Sequence, residues 1–139
     1  MDNNETYKAG CVLVDAKNKK IGLIYRSNHN DFEFPKGHLE PNETIIDCAI
    51  RETAEETKRN VNLILDFDPY SITYTTKSGE HCKCYYFLAE DLGSSDNSST
   101  DTHELHWIDI DKVKTTLTYK NTIDVWYYFL PKIKKYFKF

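Results

Sequence analysis

The segment from residue 42 to residue 58 constrains the fold most, because seventeen consecutive positions contain neither glycine nor proline. Apolar or β-branched residues recur on one side of it at helical spacing, namely Ile46, Ala49, Ile50 and Thr53. This periodicity predicts a helix that buries that side. Thr44 stands three residues before Asp47 and resembles a capping pair, which predicts a start near Thr44.

β-rich runs precede and follow this predicted helix. Residues 11–14 and 21–25 predict a hairpin, and Pro35 and Gly37 predict a shaped loop just before the helix. Later strands are predicted at residues 61–65, 71–76, 82–89 and 105–108, with a hairpin turn at Ser78 and Gly79. A mobile loop is predicted at residues 91–102, a short helix at 109–117, and a terminal helix at 122–137 interrupted or kinked near Pro131.

This order of elements predicts the α/β (α+β) class, with a central mixed sheet packed between helices as an α/β/α sandwich. The chain has 139 residues, which fits one domain spanning residues 1–139. No apolar run approaches the roughly 20 residues of a membrane-spanning helix, and residues 1–10 do not resemble a secretory signal. We therefore expect a cytoplasmic protein that does not associate with membranes.

Charge and cysteine content limit the classes of partner. The net charge of −4 argues against a stable nucleic-acid partner. The four lysines between residues 132 and 138 fit either a basic binding surface or, in our preferred interpretation, the solvated face of an amphipathic helix. Cys11, Cys48, Cys82 and Cys84 lack zinc spacing, so we expect free thiols without a redox or metal role.

Three carboxylates share one face of the predicted central helix. Glu52, Glu55 and Glu56 occupy positions i, i+3 and i+4, which places them on neighbouring turns. Such a triplet is either a solvated acidic face or a site for a hard cation, because magnesium and manganese prefer oxygen ligands. The triplet by itself does not decide between the two interpretations.

The spacing around the triplet is more specific. Gly37 is followed after five residues by Glu43, after seven more by Arg51-Glu52, and after two more by Glu55-Glu56. This pattern resembles the Nudix box, a loop and helix that bind divalent metal ions in a family of phosphoanhydride hydrolases. Thr53, Lys58 and Arg59 depart from the box, where an aliphatic residue, a glycine and an apolar residue stand. We expect Asn60 to take the left-handed conformation that ends the helix.

The resemblance implies a role for each matching residue. Glu52, Glu55 and Glu56 would hold Mg²⁺, with Mn²⁺ as an alternative, and the carbonyl of Gly37 would approach the metal ion. Arg51 would orient Glu52, whereas Glu43 would fix the geometry between loop and helix. The general base stays open among the three box carboxylates and Glu104, which lies where many family members supply a further carboxylate.

Two further segments indicate the substrate. Lys36 and His38, in Pro-Lys-Gly-His, resemble the phosphate-facing residues of diadenosine tetraphosphate hydrolases and of diphosphoinositol polyphosphate phosphohydrolases. Lys83 is a second candidate cation, and Tyr85 or Tyr86 is similar in position to a base-stacking tyrosine of the tetraphosphate hydrolases. The resemblance implies a magnesium-dependent enzyme that cleaves diadenosine tetraphosphate into ATP and AMP.

Other functions stay open from the sequence. A diphosphoinositol substrate would require many basic residues, yet the chain has three arginines, Arg26, Arg51 and Arg59. Nucleoside triphosphates and capped RNA are further candidate substrates. A function of another class, a catalytically silent nucleotide-binding module, is disfavoured because all the box carboxylates are present. The predicted assembly is a monomer or a homodimer.

Overall fold

A mixed eight-stranded sheet is the centre of the computed structural model, which describes residues 4–139. The first three residues of the predicted domain lie outside the described ones. The strands are β1 Thr6–Asp15, β2 Lys20–Arg26, β3 Asp31–Glu33, β4 Lys36–His38, β5 Arg59–Leu63, β6 Tyr70–Thr75, β7 His81–Ser94 and β8 Glu104–Asp109. The helices are α1 Ile45–Thr57, α2 Val113–Thr116 and α3 Lys120–Phe137, and a 3-10 turn at Ile110–Lys112 precedes α2.

Strand β1 organises the sheet. It pairs in parallel with β7 from Thr6 opposite Cys82 to Val14 opposite Glu90, and antiparallel with β2 and β4. The main strand order is β3-β2-β1-β7-β5, with β6 paired to β7 and β8 paired to β2. The predicted hairpins β1–β2 and β6–β7 are confirmed, and Gly79 takes a φ of 89° in the second turn, where glycine carries no steric penalty.

Each face of the sheet carries its own apolar core. Along β1, Val12 and Val14 face one side and pack with Trp126, Phe129 and Ile133 of α3, while Ala9 and Cys11 face α1. A strand buried on both faces reads as a continuous apolar run, as residues 9–14 do. The predicted α/β/α arrangement with a mixed sheet is therefore confirmed.

Helix α1 starts as predicted but is rotated relative to the expected apolar side. Thr44 caps it, its Oγ1 accepting a hydrogen bond of 3.1 Å from the backbone N–H of Asp47. The buried side consists of Cys48, Ala49, Thr53 and Thr57. Ile46 and Ile50 are 37% and 38% exposed, so their predicted burial was wrong. The small buried residues let the helix approach β1 closely, where Ala9 and Cys11 are also small.

The C-terminal end of α1 also differs from the prediction. Lys58, not Asn60, takes the left-handed conformation, with φ 58° and ψ 34°, and donates its backbone N–H to Ala54 at 3.0 Å. Asn60 already belongs to β5. Residues 91–94 extend β7, and the remainder of the predicted mobile loop is hydrogen-bonded to the end of α1 instead of projecting from it.

The C-terminal helix α3 and the four cysteines both belong to the packed interior of the protein. Helix α3 runs without interruption through Pro131, because Phe129 and Ile133 on either side of the proline are anchored in the core. All four cysteines are free and buried, and burial raises the pKa of the Cys11, Cys48 and Cys84 thiols to about 12. Within residues 4–139, no helix combines the length and apolar character needed to cross a bilayer.

Candidate active site

Helix α1 meets strand β4 at Gly37, and the contact depends on the missing side chain. A Cβ atom at position 37 would lie 2.0 Å from Oε2 of Glu52. No real side chain tolerates that distance, so only glycine lets the Glu52 carboxylate rest against the backbone of the loop. The Gly37 requirement in the box thus follows from the packing of one carboxylate.

Arg51 holds the loop and helix together. Its Nε and Nη2 donate to the two oxygens of Glu43 at 2.6 and 2.8 Å, a bidentate pair, and Nη2 also donates to the His38 carbonyl at 2.9 Å. Its Nη1 donates to Oε1 of Glu52 at 2.8 Å. These contacts fit the orienting role predicted for Arg51 and the structural role predicted for Glu43, whose carboxyl pKa they lower.

Glu56 is the most deeply placed of the three box carboxylates. Its Oε1 accepts a hydrogen bond of 2.8 Å from the backbone N–H of Lys36. Burial raises the pKa of Glu56 to about 8, although the Lys36 N–H and ammonium oppose that rise. Burial also raises the pKa of Glu52, against the attraction of Arg51. Both carboxyl groups therefore lack the solvation that an ionised carboxylate needs, and a cation would supply it.

The three box carboxylates do not converge in this conformation. The Glu55 carboxylate turns to Arg51, at 3.1 Å from Nη1. Within residues 4–139, no group of three or more histidine, cysteine, aspartate or glutamate side chains is close enough to hold a metal ion. The donor set nevertheless suits Mg²⁺, because Glu52 and Glu56 present hard oxygen ligands beside the backbone of Gly37.

A cavity of about 460 Å³ surrounds this pair of carboxylates. Its walls bring together Glu52 and Glu56 with three residues of the preceding loop and strand, Lys36, Gly37 and His38. Residues 100–103 also line it, and Nε2 of His103 lies 3.9 Å from Oε2 of Glu56. Five of the predicted site residues therefore lie in one cavity, namely Lys36, Gly37, His38, Glu52 and Glu56.

A larger cavity of about 750 Å³ shares a wall with the first, formed by Lys8, Arg26, Glu33 and Lys36. Oε1 of Glu33 lies 3.1 Å from Nζ of Lys36 and 3.4 Å from Nε of Arg26. Burial alone would lower the pKa of Lys36, but the Glu33 carboxylate raises it above its usual range, so its ammonium is charged. Tyr74 and Tyr119 also line this cavity, and Lys8 Nζ lies 5.5 Å from the centre of the Tyr74 ring.

The structure does not bring four other predicted residues to these cavities in the expected way. Glu104 is 68% exposed and its carboxylate contacts His106 Nε2 at 2.6 Å. Lys83 and Tyr85 lie on the α1 face of β7 and line neither cavity, with Lys83 Nζ over the Tyr85 ring at 5.4 Å. Tyr86 touches the larger cavity but is fully buried beside Phe34, so the prediction that it stacks a base is corrected.

Sequence reasoning missed Lys8, Arg26 and His103, which all line the cavity around Glu52 and Glu56. Lys8 is 8% exposed, an unusual burial for a lysine. The available signal was weak: Lys8 and Arg26 are charged residues at the ends of β-rich runs, and His103 is the immediate neighbour of the predicted Glu104.

The chain is similar in sequence to a known protein family and to several of its characterised members. Residues 5–127 match the sequence model of the NUDIX domain family. Nudix hydrolase 13, mitochondrial, from Arabidopsis thaliana is 33% identical over 113 residues, covering 64% of this chain and 55% of that protein. The 8-oxo-(d)GTP phosphatase of Mycolicibacterium smegmatis is 27% identical over 100 residues, covering 72% of this chain and 30% of that protein. The chain therefore spans about half or less of the length of these curated relatives.

The fold is also found among solved structures. A binary complex of a C. elegans Ap4A hydrolase superimposes with a TM-score of 0.79 at 22% identity, covering 94% of this chain and 99% of that one. A similarity at that level of identity concerns the fold. Because the family match covers most of the sequence, the chain belongs to the Nudix family, and Gly37, Glu52 and Glu56 of its box line one cavity.

Proposed function

We propose that the protein is a magnesium-dependent pyrophosphohydrolase that cleaves diadenosine tetraphosphate asymmetrically into ATP and AMP. One observation carries the proposal: two desolvated carboxylates, Glu52 and Glu56, lie at the end of a cavity whose walls carry three buried or half-buried cations. Those cations are Lys8, Arg26 and Lys36. Carboxylates that need a metal ion and cations that need phosphate oxygens stand within the same space.

Glu52 and Glu56 would hold Mg²⁺, or Mn²⁺, beside Gly37, with Glu55 joining them once its carboxylate leaves Arg51. The ion would supply charge neutralisation at the phosphate oxygens and a bound water of lowered pKa. Arg51 keeps Glu52 against the loop through its 2.8 Å hydrogen bond and is itself fixed by Glu43. The general base stays open among the box carboxylates and Glu104, whose carboxylate would have to leave His106.

The cationic side chains would bind the phosphate chain. Lys36 and Lys8 stand at the junction of the two cavities, so a chain of phosphates can pass from one cavity to the other across them. His38 lines the smaller cavity and is 60% exposed, so its imidazole can meet an oxygen of the phosphate chain. Displacement at one phosphorus by water requires no covalent intermediate with the protein.

The size of the joined cavities supports a long substrate. Cavities of about 460 and 750 Å³ exceed what a single nucleoside diphosphate needs, and each lies in the range of a typical ligand site. Tyr74 and Tyr119 in the larger cavity offer aromatic surface for a base, since every base can stack on an aromatic ring. The Ap4A hydrolase among the solved structures gives the proposal its substrate class.

A nucleoside triphosphate is the second candidate, because one relative is an 8-oxo-(d)GTP phosphatase. Its shorter phosphate chain would leave part of the 750 Å³ cavity unfilled. Diphosphoinositol polyphosphates and capped RNA rank lower, since the smaller cavity is lined by the carboxylates of Glu33, Glu52, Glu56 and Asp101 as well as by cations.

The test is to incubate the purified protein with Mg²⁺ and, in separate reactions, diadenosine tetraphosphate, nucleoside triphosphates, a diphosphoinositol phosphate and capped RNA. Chromatography of the products should show ATP and AMP in equal amounts from the tetraphosphate, and neither from a Glu56→Gln variant. Asp124→Asn, an exposed carboxylate on α3, is the matched control. Two equivalents of ADP would overturn the asymmetric cleavage, and inactivity of the folded protein on all substrates would support the silent binding module.

A further inference from the structure

The left-handed residue that ends α1 carries an unusual second set of contacts. Lys58 has φ 58° and ψ 34°, a conformation that glycine adopts without steric cost and lysine does not. Its ammonium donates to the carbonyl oxygens of Asn97 and Ser99 at 2.5 and 2.6 Å. These are short, charge-assisted hydrogen bonds to a segment about forty residues away in the chain. A strained backbone conformation that persists is held by its surroundings, and here the side chain supplies that hold.

Residues 95–103, the segment that Lys58 contacts, lie along the C-terminal end of α1. Ser95 donates its backbone N–H to the Lys58 carbonyl at 2.8 Å, and His103 donates its backbone N–H to the Glu56 carbonyl at 2.9 Å. Thr102 Oγ1 donates to the Glu55 carbonyl at 3.2 Å. Two of the carbonyl groups that the helix leaves unpaired at its C-terminal end, those of Glu55 and Glu56, are therefore bonded by this segment.

The same segment builds a wall of the cavity that contains the box carboxylates. Thr100, Asp101, Thr102 and His103 line that cavity together with Glu52 and Glu56. His103 Nε2 lies 3.9 Å from Oε2 of Glu56. Lys58 lines neither cavity, and the contacts of its ammonium with Asn97 and Ser99 connect it to the cavity through residues 95–103.

We propose that Lys58 is a positioning residue: its ammonium fixes residues 95–103 against the end of α1 and thereby holds His103 beside Glu56. A glycine at this position would end the helix without strain but would leave the segment untethered. The lysine combines both tasks in one residue. The kinetic part of this proposal rests on the proposed hydrolase function.

Two variants separate the tether from the helix end. Lys58→Met keeps the aliphatic chain and the left-handed strain but removes the ammonium, whereas Lys58→Gly removes both the ammonium and the strain. We expect amide hydrogen exchange of residues 95–103 to accelerate on the order of 10-fold in both variants, even though Lys58→Gly is the more stable of the two. Lys58→Arg, which can also donate to two carbonyls, should restore slow exchange, and Lys17→Met in an exposed turn is the control.

The position of His103 is tested without substrate. The imidazole carbon-bound protons of His103, assigned with His103→Ala, should shift or broaden in the NMR spectra of Lys58→Met and Lys58→Gly but not of Lys58→Arg. An unchanged His103 signal together with unchanged exchange would overturn the proposal, whichever substrate the protein hydrolyses. A failure of the proposed function leaves both of these measurements intact.

The kinetic consequence is tested by a double-mutant cycle. Lys58→Met should lower kcat by about 10-fold with little change in KM, the range of effects seen when the partner of a functional group is removed. In His103→Ala, the same Lys58→Met change should cost no further activity, because a residue that acts through His103 has nothing left to position. Additive losses would overturn the assignment of Lys58 as a positioning residue for His103.

Discussion

Arg26 and Arg51 each lie in a cluster of charged side chains, and the two clusters differ in net charge. The Arg51 cluster sets one guanidinium among four carboxylates within 3.5 Å, those of Glu40, Glu43, Glu52 and Glu55. The Arg26 cluster matches two cations with two carboxylates. Its members are Arg26, Lys36, Asp31 and Glu33.

The difference indicates which cluster has a net charge that can attract a metal ion and which has its charges balanced within the protein. Asp31 accepts hydrogen bonds from Arg26 at 2.9 and 2.6 Å and from the Tyr119 hydroxyl at 2.5 Å, so its charge is satisfied within the protein. The Arg51 cluster retains an excess of negative charge beside the desolvated Glu56. An excess that the protein does not neutralise favours a bound cation, whereas the loss of one member of a balanced buried pair leaves an unpaired charge that destabilises the folded state.

The largest expected effect comes from removing one negative charge from the Arg51 cluster. Glu52→Gln should lower hydrolysis of the preferred substrate by roughly 100- to 1,000-fold, because metal ligation contributes several kcal/mol to the transition state. The free energy of unfolding without metal should change by less than about 1 kcal/mol, since one of several like charges is lost. Steady-state kinetics and urea unfolding measure the two quantities.

The effect of Mg²⁺ on the unfolding midpoint provides a second test of the role of Glu52. Saturating Mg²⁺ should raise the unfolding midpoint of the unchanged protein and of Asp124→Asn, but not that of Glu52→Gln, because only a ligand of the folded state stabilises it. An active, Mg²⁺-stabilised Glu52→Gln variant would mean that the excess of carboxylates is not a metal site.

The second prediction concerns a substitution that unbalances the charges of the Arg26 cluster. Asp31→Asn should lower the free energy of unfolding by about 3–5 kcal/mol, because it leaves Arg26 without its bidentate partner in a buried site. Asp109→Asn, which removes an exposed partner 3.5 Å from Lys20, should cost less than about 1 kcal/mol. Equal losses from the two substitutions in urea unfolding would contradict the distinction between the clusters.

The smallest predicted effect concerns acid. Burial alone would raise the pKa of Asp31, but the hydrogen bonds from Arg26 and Tyr119 lower it below its ordinary value. The stability that this carboxylate provides is therefore present above its unfolded pKa of about 3.9 and is lost as the pH falls through the lower folded value. Tyr119→Phe removes one hydrogen bond and so raises the folded pKa of Asp31 toward the unfolded value. The variant should be less stable by about 1 kcal/mol at neutral pH, and its acid-dependent loss should end at a higher pH than that of the unchanged protein, so that the two stability curves converge in acid.

Unfolding midpoints of the unchanged protein and Tyr119→Phe, measured between pH 2.5 and 7, test this sign. Curves that stay parallel over the whole range would show that Tyr119 does not support the charge of Asp31. His29 also lies near enough to favour the ionised carboxylate, so a His29→Gln variant in the same series separates its contribution.

The box was predictable from the sequence because its signals are local. Thr44, Asp47 and the glycine-free stretch define the helix, and the carboxylates follow from positions along that helix. The balanced cluster was not predictable in the same way. Arg26, Glu33 and Lys36 come from β2, β3 and β4, and their meeting depends on the pairing of strands, which no local pattern gives.

Strand faces account for the other differences. Successive side chains of a strand point to opposite faces, so a shift of one residue exchanges cavity for solvent. His103 lines the cavity while its neighbour Glu104 turns outward to His106. Along β7, aromatic residues occupy both faces at Tyr85 and Tyr86, so hydrophobic alternation could not identify which of them is buried.

The four buried thiols have a practical consequence. A thiol-specific reagent reacts with the thiolate, and the folded chain offers it sulfur atoms that are both covered and held protonated by their surroundings. Alkylation must then wait for the fold to open, with Cys11 and Cys48 reporting the α1 face of the sheet and Cys84 the α3 face. Mass spectrometry after a brief pulse of reagent would thus read the two halves of the sandwich separately, without any label being engineered into the protein.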